Sequence, residues 1–266
     1  MKLHNKNIII TGAANGIGKA LAERFVSEKP NSISLLDINP NVHTVAEQLD
    51  ADGYVVDVKD EKSFMDVLDK IISKEKSIDL FCSNAGTQQF GSIDITSDEW
   101  QATWEVNVMS HVHAAKVLIP HMLNNGGGYF LLTVSAAGLL NMPGALSYAT
   151  TKHAALGLAE NLSIMYGSKG ITVSALCPQL VDTEMVRKVK ILDENHPLMK
   201  DGVLPAEVIA EETVQGIDRE KFLILPHKEV LKYIQGKAMD YDAWLDAVRK
   251  LVPWKSKIKY LNGWFS

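Results

Sequence analysis

Short apolar runs rich in β-branched residues alternate with longer amphipathic stretches along most of the chain. Asn7-Ile-Ile-Ile-Thr11 precedes an amphipathic stretch over 16–28, and Ser32-Ile-Ser-Leu-Leu-Asp37 precedes one over 41–49. Gly53-Tyr-Val-Val-Asp57 comes before 61–74, Ile78-Asp-Leu-Phe-Cys-Ser83 before a long helix over about 97–123, and Gly128-Tyr-Phe-Leu-Leu-Thr133 before 148–166. Ile171-Thr-Val-Ser-Ala-Leu176 reads as a sixth strand, and Phe222-Leu-Ile-Leu225 as a seventh after a helix opened by Pro205. A strand apolar along its whole length is buried on both faces, and helices between strands supply both covers. The expected fold class is therefore α/β, a doubly wound parallel sheet of the Rossmann type with right-handed crossovers. We expect one domain over 1–266, with a lid around 184–204 where periodicity is weak and a helical C-terminal extension around 227–266. In such sheets ligands bind beyond the carboxyl ends of the strands, where the strand order reverses.

The first such end carries Thr11-Gly12-Ala-Ala-Asn-Gly16-Ile-Gly18, a glycine-rich turn between a strand and a helix. Glycines permit positive φ and close approach of a diphosphate, while the helix start offers free N–H groups and a positive dipole end. Gly12, Asn15, Gly16, Ile17 and Gly18 are therefore candidate cofactor-binding residues. Asp37 ends the second strand, where a carboxylate can hydrogen-bond an adenosine ribose and repel a 2′-phosphate. Neither Ile38 nor Asn15 supplies a cation for such a phosphate, so the expected cofactor is NAD.

Ser147-Tyr-Ala-Thr-Thr-Lys152 sets Tyr148 and Lys152 four positions apart, one helical turn, with Ser135 thirteen positions before the tyrosine. A phenol with an ordinary pKa of about 10 is a poor base near neutrality, and an adjacent ammonium favours its ionised form. Each feature also has a plainer reading. The glycines can make a turn without a ligand, Asp37 can be a turn residue, Ser135 a turn hydroxyl, and Lys152 a solvated helix cation. A Tyr-x-x-x-Lys can also arise by chance.

Taken together these residues closely resemble the short-chain dehydrogenase/reductase family, from Asn7 to about Thr183. Thr11 to Gly18 is similar to the family's cofactor turn, Asp57-Val58 to its adenine-contacting pair, and Ser83-Asn84-Ala85-Gly86 to its Asn-Asn-Ala-Gly, with Ser83 in place of one asparagine. Asn107, Ser135, Tyr148 and Lys152 match the family's catalytic tetrad. Pro178, Val181 and Thr183 match its nicotinamide-contacting segment, with Gln179 where glycine is usual. The resemblance implies hydride exchange between a nicotinamide and a carbinol carbon. It gives Ser135 the substrate oxygen, Tyr148 the proton, Lys152 the phenol's pKa and the nicotinamide ribose, and Asn107 a water leading to solvent. It also places Gln88, Phe90, Leu139, Met142, Leu180 and Met185 around the substrate, implying a secondary alcohol or ketone with an apolar body. A cofactor-sensing binding protein on the same fold would lack the tetrad. A sugar-nucleotide epimerase would carry Gly-x-x-Gly-x-x-Gly and a larger C-terminal substrate domain.

The remaining expectations are largely exclusions. With 27 Lys and Arg against 32 Asp and Glu, a net charge of −5 and no long basic run, nucleic acid and acidic membrane surfaces are not expected partners. No stretch approaches the roughly 18 apolar residues of a membrane span, and no apolar signal segment precedes Asn7. Cys82 and Cys177, in apolar strand ends, read as reduced thiols, which points to a cytoplasmic setting. No metal is expected: His111 and His113, two apart on a helix, cannot face one ion. A homodimer through the helices bearing Asn107 and Tyr148 is expected, with Trp254, Tyr260, Trp264 and Phe265 either capping the site or packing at that contact.

Overall fold

The structure, a computed structural model, describes residues 1–187 and 199–251. In chain order the elements are β1 (Asn7–Thr11), α1 (Gly16–Val26), β2 (Ser32–Asp37), α2 (Val42–Gln48), β3 (Asp52–Val55), α3 (Glu61–Glu75) and β4 (Leu80–Ser83). They continue with α4 (Ser97–Trp104), a π-helical turn (Glu105–Met109), α5 (Ser110–Asn124), β5 (Gly128–Thr133), α6 (Ala137–Leu140) and α7 (Leu146–Tyr166). The last are β6 (Ile171–Leu176), β7 (Val181–Asp182), α8 (Glu184–Arg187), β8 (Leu204–Pro205), α9 (Ala206–Asp218), β9 (Leu223–Ile224), α10 (Glu229–Met239) and α11 (Tyr241–Leu251).

Seven parallel strands form one sheet in the order β3-β2-β1-β4-β5-β6-β9, so the order reverses between β1 and β4. The alternation of side chains along a strand explains why β1 is apolar throughout. Ile8 and Ile10 pack on one face with Leu21 and Phe25 of α1, Val45 of α2 and Ile209 of α9. Ile9 enters the other face with Phe64 and Leu68 of α3, Leu118 of α5 and Ala159 of α7. Phe81 and Phe130, on adjacent strands of that second face, meet with ring centroids 4.9 Å apart. Cys82 and Cys177 are buried free thiols. Among the described residues no helix is long and apolar enough to cross a membrane.

Two expectations need correction. The helix expected over 97–123 starts on a capping box, with the Thr96 side chain accepting from the Glu99 N–H, but a π turn over Glu105–Met109 interrupts it. Such single turns carry one extra residue and are frequent at functional sites, and this one contains Asn107. The third strand ends at Val55, not at Asp57, because Asp57 is a turn residue whose Oδ1 accepts the Lys59 N–H at 3.0 Å. The expected lid is in part regular: α8 follows β7, and β7 pairs with β8 in a two-stranded parallel ladder. Most of the rest of that segment lies outside the described residues, as do Trp254, Tyr260, Trp264 and Phe265.

Candidate active site

Beyond β1 the chain turns through Gly12 and Gly16, at φ of +67° and +54°, values that favour glycine. A Cβ on Gly12 would lie 2.8 Å from the Ala85 Cα, so the turn closes against the end of β4. Gly18 serves packing: a Cβ there would come within 2.1 Å of the Gly12 carbonyl, and Gly18 lies outside the lining of the cleft that the turn borders. The start of α1 has no side-chain cap and no acidic residue in its first turn, which leaves its N–H groups and dipole for an anion. Asp37 accepts the Ala14 N–H and the Asn39 N–H, both at 2.9 Å, so it fixes the glycine turn as well as facing the cleft. Each oxygen retains a further lone pair.

Asn84 joins three strand ends. Its Nδ2 donates to the carbonyls of Thr11 at 3.0 Å and Gly12 at 3.3 Å, and its Oδ1 accepts the Thr133 hydroxyl at 3.0 Å. The Thr11 hydroxyl oxygen in turn accepts the N–H groups of Asn84 at 2.9 Å and Ala85 at 3.0 Å. Ser83, where the family pattern has asparagine, lies 2.5 Å through Oγ from Nδ1 of the fully buried His111. Burial pushes that imidazole down to about 3, with the nearby Lys152 ammonium adding to the shift. The Ser83–His111 pair escaped the sequence reading, since only the fold brings the two together.

The four tetrad positions converge, though not in identical roles. The buried Asn107 clamps the segment after β4: its Oδ1 accepts the Thr87 N–H at 2.9 Å, and its Nδ2 donates to the Thr87 carbonyl at 2.9 Å and to the Thr151 hydroxyl at 3.0 Å. A Cβ on Gly86 would stand 3.5 Å from both Asn107 Oδ1 and Lys152 Nζ, which locates the two groups beside one another. Lys152, 3% exposed, donates to the Thr133 carbonyl at 2.9 Å and lies 5.7 Å from the centre of the Tyr148 ring. Burial lowers its pKa to about 8. Burial raises the Tyr148 phenol above its ordinary value, opposed by a hydrogen bond with the Ser135 hydroxyl. Desolvation of the phenolate outweighs its neighbours in this part of the protein. Ser135 Oγ is oriented by the Ala137 N–H at 3.0 Å and by the Pro178 carbonyl at 3.4 Å.

Ser135, Tyr148 and Lys152, but not Asn107, line a cleft of about 1140 Å³, more than the roughly 300–1,000 Å³ typical of a pocket for one small ligand. Asn15, Ile17, Asp57, Val58, Asn84, Ala85, Gly86, Pro178, Val181 and Thr183 line it together with Gly12, Gly16 and Asp37. Gln88, Met142, Leu180, Met185 and Gln179 also line it, whereas Phe90 and Leu139 do not. Lys59, missed in the sequence reading, borders the end near Asp37, with its ammonium 3.5 Å from Asp57. The Gln179 N–H donates to Nδ1 of buried His227 at 3.2 Å, an arrangement that burial favours by keeping the imidazole neutral. Unexpectedly, α10 and α11 supply the far wall.

The model of the short chain dehydrogenase family matches residues 6–192. The protein is 33% identical over 195 residues to the oxidoreductase UcpA of Escherichia coli (strain K12), an alignment covering 71% of this chain and 74% of the relative. A short chain dehydrogenase/reductase from Burkholderia phymatum, solved in complex with NAD, superposes with a TM-score of 0.82 at 25% identity, over 91% of this chain and 96% of the other. A 7α-hydroxysteroid dehydrogenase, solved with NADH and 7-oxo glycochenodeoxycholic acid, superposes with a TM-score of 0.78 at 27% identity, over 84% and 93%. Since the family match spans well over half of the sequence, the chain belongs to the short-chain dehydrogenase family of oxidoreductases.

Proposed function

We propose that the protein exchanges a hydride between NAD and a secondary alcohol or its ketone, with Tyr148 moving the hydroxyl proton. The observation that carries this reading is the convergence of the Ser135 hydroxyl, the Tyr148 phenol and the Lys152 ammonium on one cleft, beside a glycine turn that presents a free helix start. A nicotinamide ring, when bound, supplies the hydride donor or acceptor. Gly12, Asn15, Gly16 and Ile17 would hold the diphosphate, Asp37 the adenosine ribose, and Asp57 with Val58 the adenine. Asn84, Ala85, Gly86, Pro178, Val181 and Thr183 would flank the nicotinamide side. Ser135 would fix the substrate oxygen, so that the phenolic proton transfers along an existing hydrogen bond. Lys152 would bind the second ribose and, when protonated, offset charge developing on the Tyr148 oxygen. Support for an apolar substrate body comes from Met142, Leu180 and Met185 in the lining and from the steroid ligand of the 7α-hydroxysteroid dehydrogenase.

Tyr148→Phe should bind NADH as the wild type does yet lose about 10²-fold to 10⁴-fold in turnover of secondary alcohols. Steady-state rates beside a fluorescence titration of NADH check this, and near wild-type turnover would refute the role.

The buried ammonium has a stability signature. The Lys152 pKa is lowered from 10.5 in the unfolded chain to about 8 in the folded one, so between those values the unfolded chain binds more protons and stability rises with pH. Relative to Lys152→Met, the wild type should gain on the order of 1 to 3 kcal/mol as pH rises across that window, read by chemical denaturation. A stability difference independent of pH would contradict a buried, titrating lysine.

NAD is preferred to NADP in this reading because Asp37 faces the ribose end of the cleft. A hydrogen bond to a charged carboxylate is worth roughly 1.5–3 kcal/mol, about tenfold to a hundredfold in affinity. Asp37→Asn combined with Ile38→Arg retains an acceptor for the glycine turn and should shift the NADPH/NADH affinity ratio upward by about tenfold or more. Tighter binding of NADPH than NADH by the unmodified protein would overturn the assignment.

A further inference from the structure

The far wall of the cleft is built from a segment that no motif reaches. Lys237 of α10 donates to the Leu139 carbonyl on α6 at 2.7 Å, and α6 begins two residues after Ser135. The same ammonium lies 4.7 Å from the centre of the Trp244 ring and 5.3 Å from that of Tyr241, and the two rings meet edge to face at 5.5 Å. A cation held between two aromatic faces is attracted to both. It ties α11 to α10 and, through Leu139, both helices to the turn that carries Ser135. Along α11, Trp244, Ala247, Val248 and Leu251 recur at three- and four-residue intervals and line the cleft together with Ala243, whereas the charged residues Asp242, Asp246, Arg249 and Lys250 lie outside the lining. Trp244 and Val248 are only half-buried, so this apolar stripe keeps surface open toward the cleft.

We propose that α10 and α11 form the wall that sets how bulky an apolar body the site accepts, with Trp244 as the contact residue and Lys237 as the positioning residue. The proposal rests on the alcohol–ketone reading above and narrows its substrate class to compounds whose uncharged part extends from the carbinol carbon to the indole. Trp244 is flanked in the lining by Gly236, Ala243 and Ala247, residues with little side chain. The indole is the largest side chain that α11 contributes to the lining, so its removal enlarges the space beside it whereas growth at Ala247 fills it.

The test measures kcat/KM with NAD for a series of secondary alcohols from 2-propanol to ring-bearing alcohols. Trp244→Ala should raise the ratio for bulky over small alcohols about tenfold, and Ala247→Phe should lower it by a similar factor, as expected for group-sized changes in an apolar pocket. Lys237→Met should blunt the size preference while the NADH dissociation constant stays within about twofold. A purely structural effect would lower all rates together and would not give opposite signs. Binding of the apolar fluorophore 1-anilinonaphthalene-8-sulfonate at saturating NADH is measured in parallel. If the wild type turns over alcohols and neither substitution moves the size ratio, the wall is overturned. If no alcohol is turned over, the oxidoreductase reading falls and the wall is judged on the fluorophore alone. A severalfold weakening with Ala247→Phe then sustains it, and unchanged affinity in both variants overturns it.

Discussion

Between β1 and β4 the strand order reverses, and the chain leaves these neighbouring strands toward helices on opposite faces of the sheet. Peptide groups just beyond the strands therefore lack sheet neighbours, yet they are too enclosed to rely on water. An unpaired buried polar group costs about 1–3 kcal/mol. Thr11 and Asn84 meet this demand reciprocally, and Thr133 extends the bonding to β5. The rest of the site depends on this junction. Gly12 is pressed against Ala85, Gly86 is held where Asn107 and Lys152 approach, and the Thr133 carbonyl receives the lysine ammonium.

Ionisable groups at this junction are placed against the preference of a protein interior. Lys152 and Tyr148 would each be easier to ionise in water, and burial moves one pKa down and the other up. Compensation is local and specific: a carbonyl for the ammonium, a serine hydroxyl for the phenol, and a π turn that brings the amide of Asn107 to Thr87 and Thr151. Asn107 thus acts on the geometry of neighbouring segments, with nearly all of its hydrogen-bonding capacity engaged. The end of the cleft around the glycine turn is held by the side chains of Thr11, Asp37 and Asn84, whereas α10 and α11 supply a wall away from it.

What the sequence made legible follows from the range of each signal. Strand positions were readable because a doubly buried strand is apolar throughout, as Ile8, Ile9 and Ile10 illustrate by packing into opposite faces. The glycine turn and the Tyr148–Lys152 spacing are local, so their convergence needed only the doubly wound order of elements. The π turn was not legible, since one extra residue in a helix leaves the apolar pattern almost unchanged. Nor was the turn at Asp57, where a run of strand-forming residues precedes an aspartate that bonds to its own backbone neighbourhood. The pairs Ser83–His111 and Gln179–His227, and the hydrogen bond from Lys237 to the Leu139 carbonyl, join distant segments through contacts that no periodicity encodes. The dual task of Asp37 was half legible: its place at a strand end was plain, but its grip on the Ala14 N–H depends on how the glycine turn folds back.

The central claim is that this strand-end cleft moves a hydride directly between a carbinol carbon and the cofactor, with Tyr148 handling the proton separately. The most direct measurement uses secondary alcohols carrying deuterium on the carbinol carbon and follows the label by mass spectrometry after incubation with the protein and NAD in ordinary water. Deuterium should appear in the reduced cofactor, on one face of the ring, and none should be lost to solvent. Label released to water, or an alcohol left unoxidised across a series that spans the size of the cleft, would contradict it.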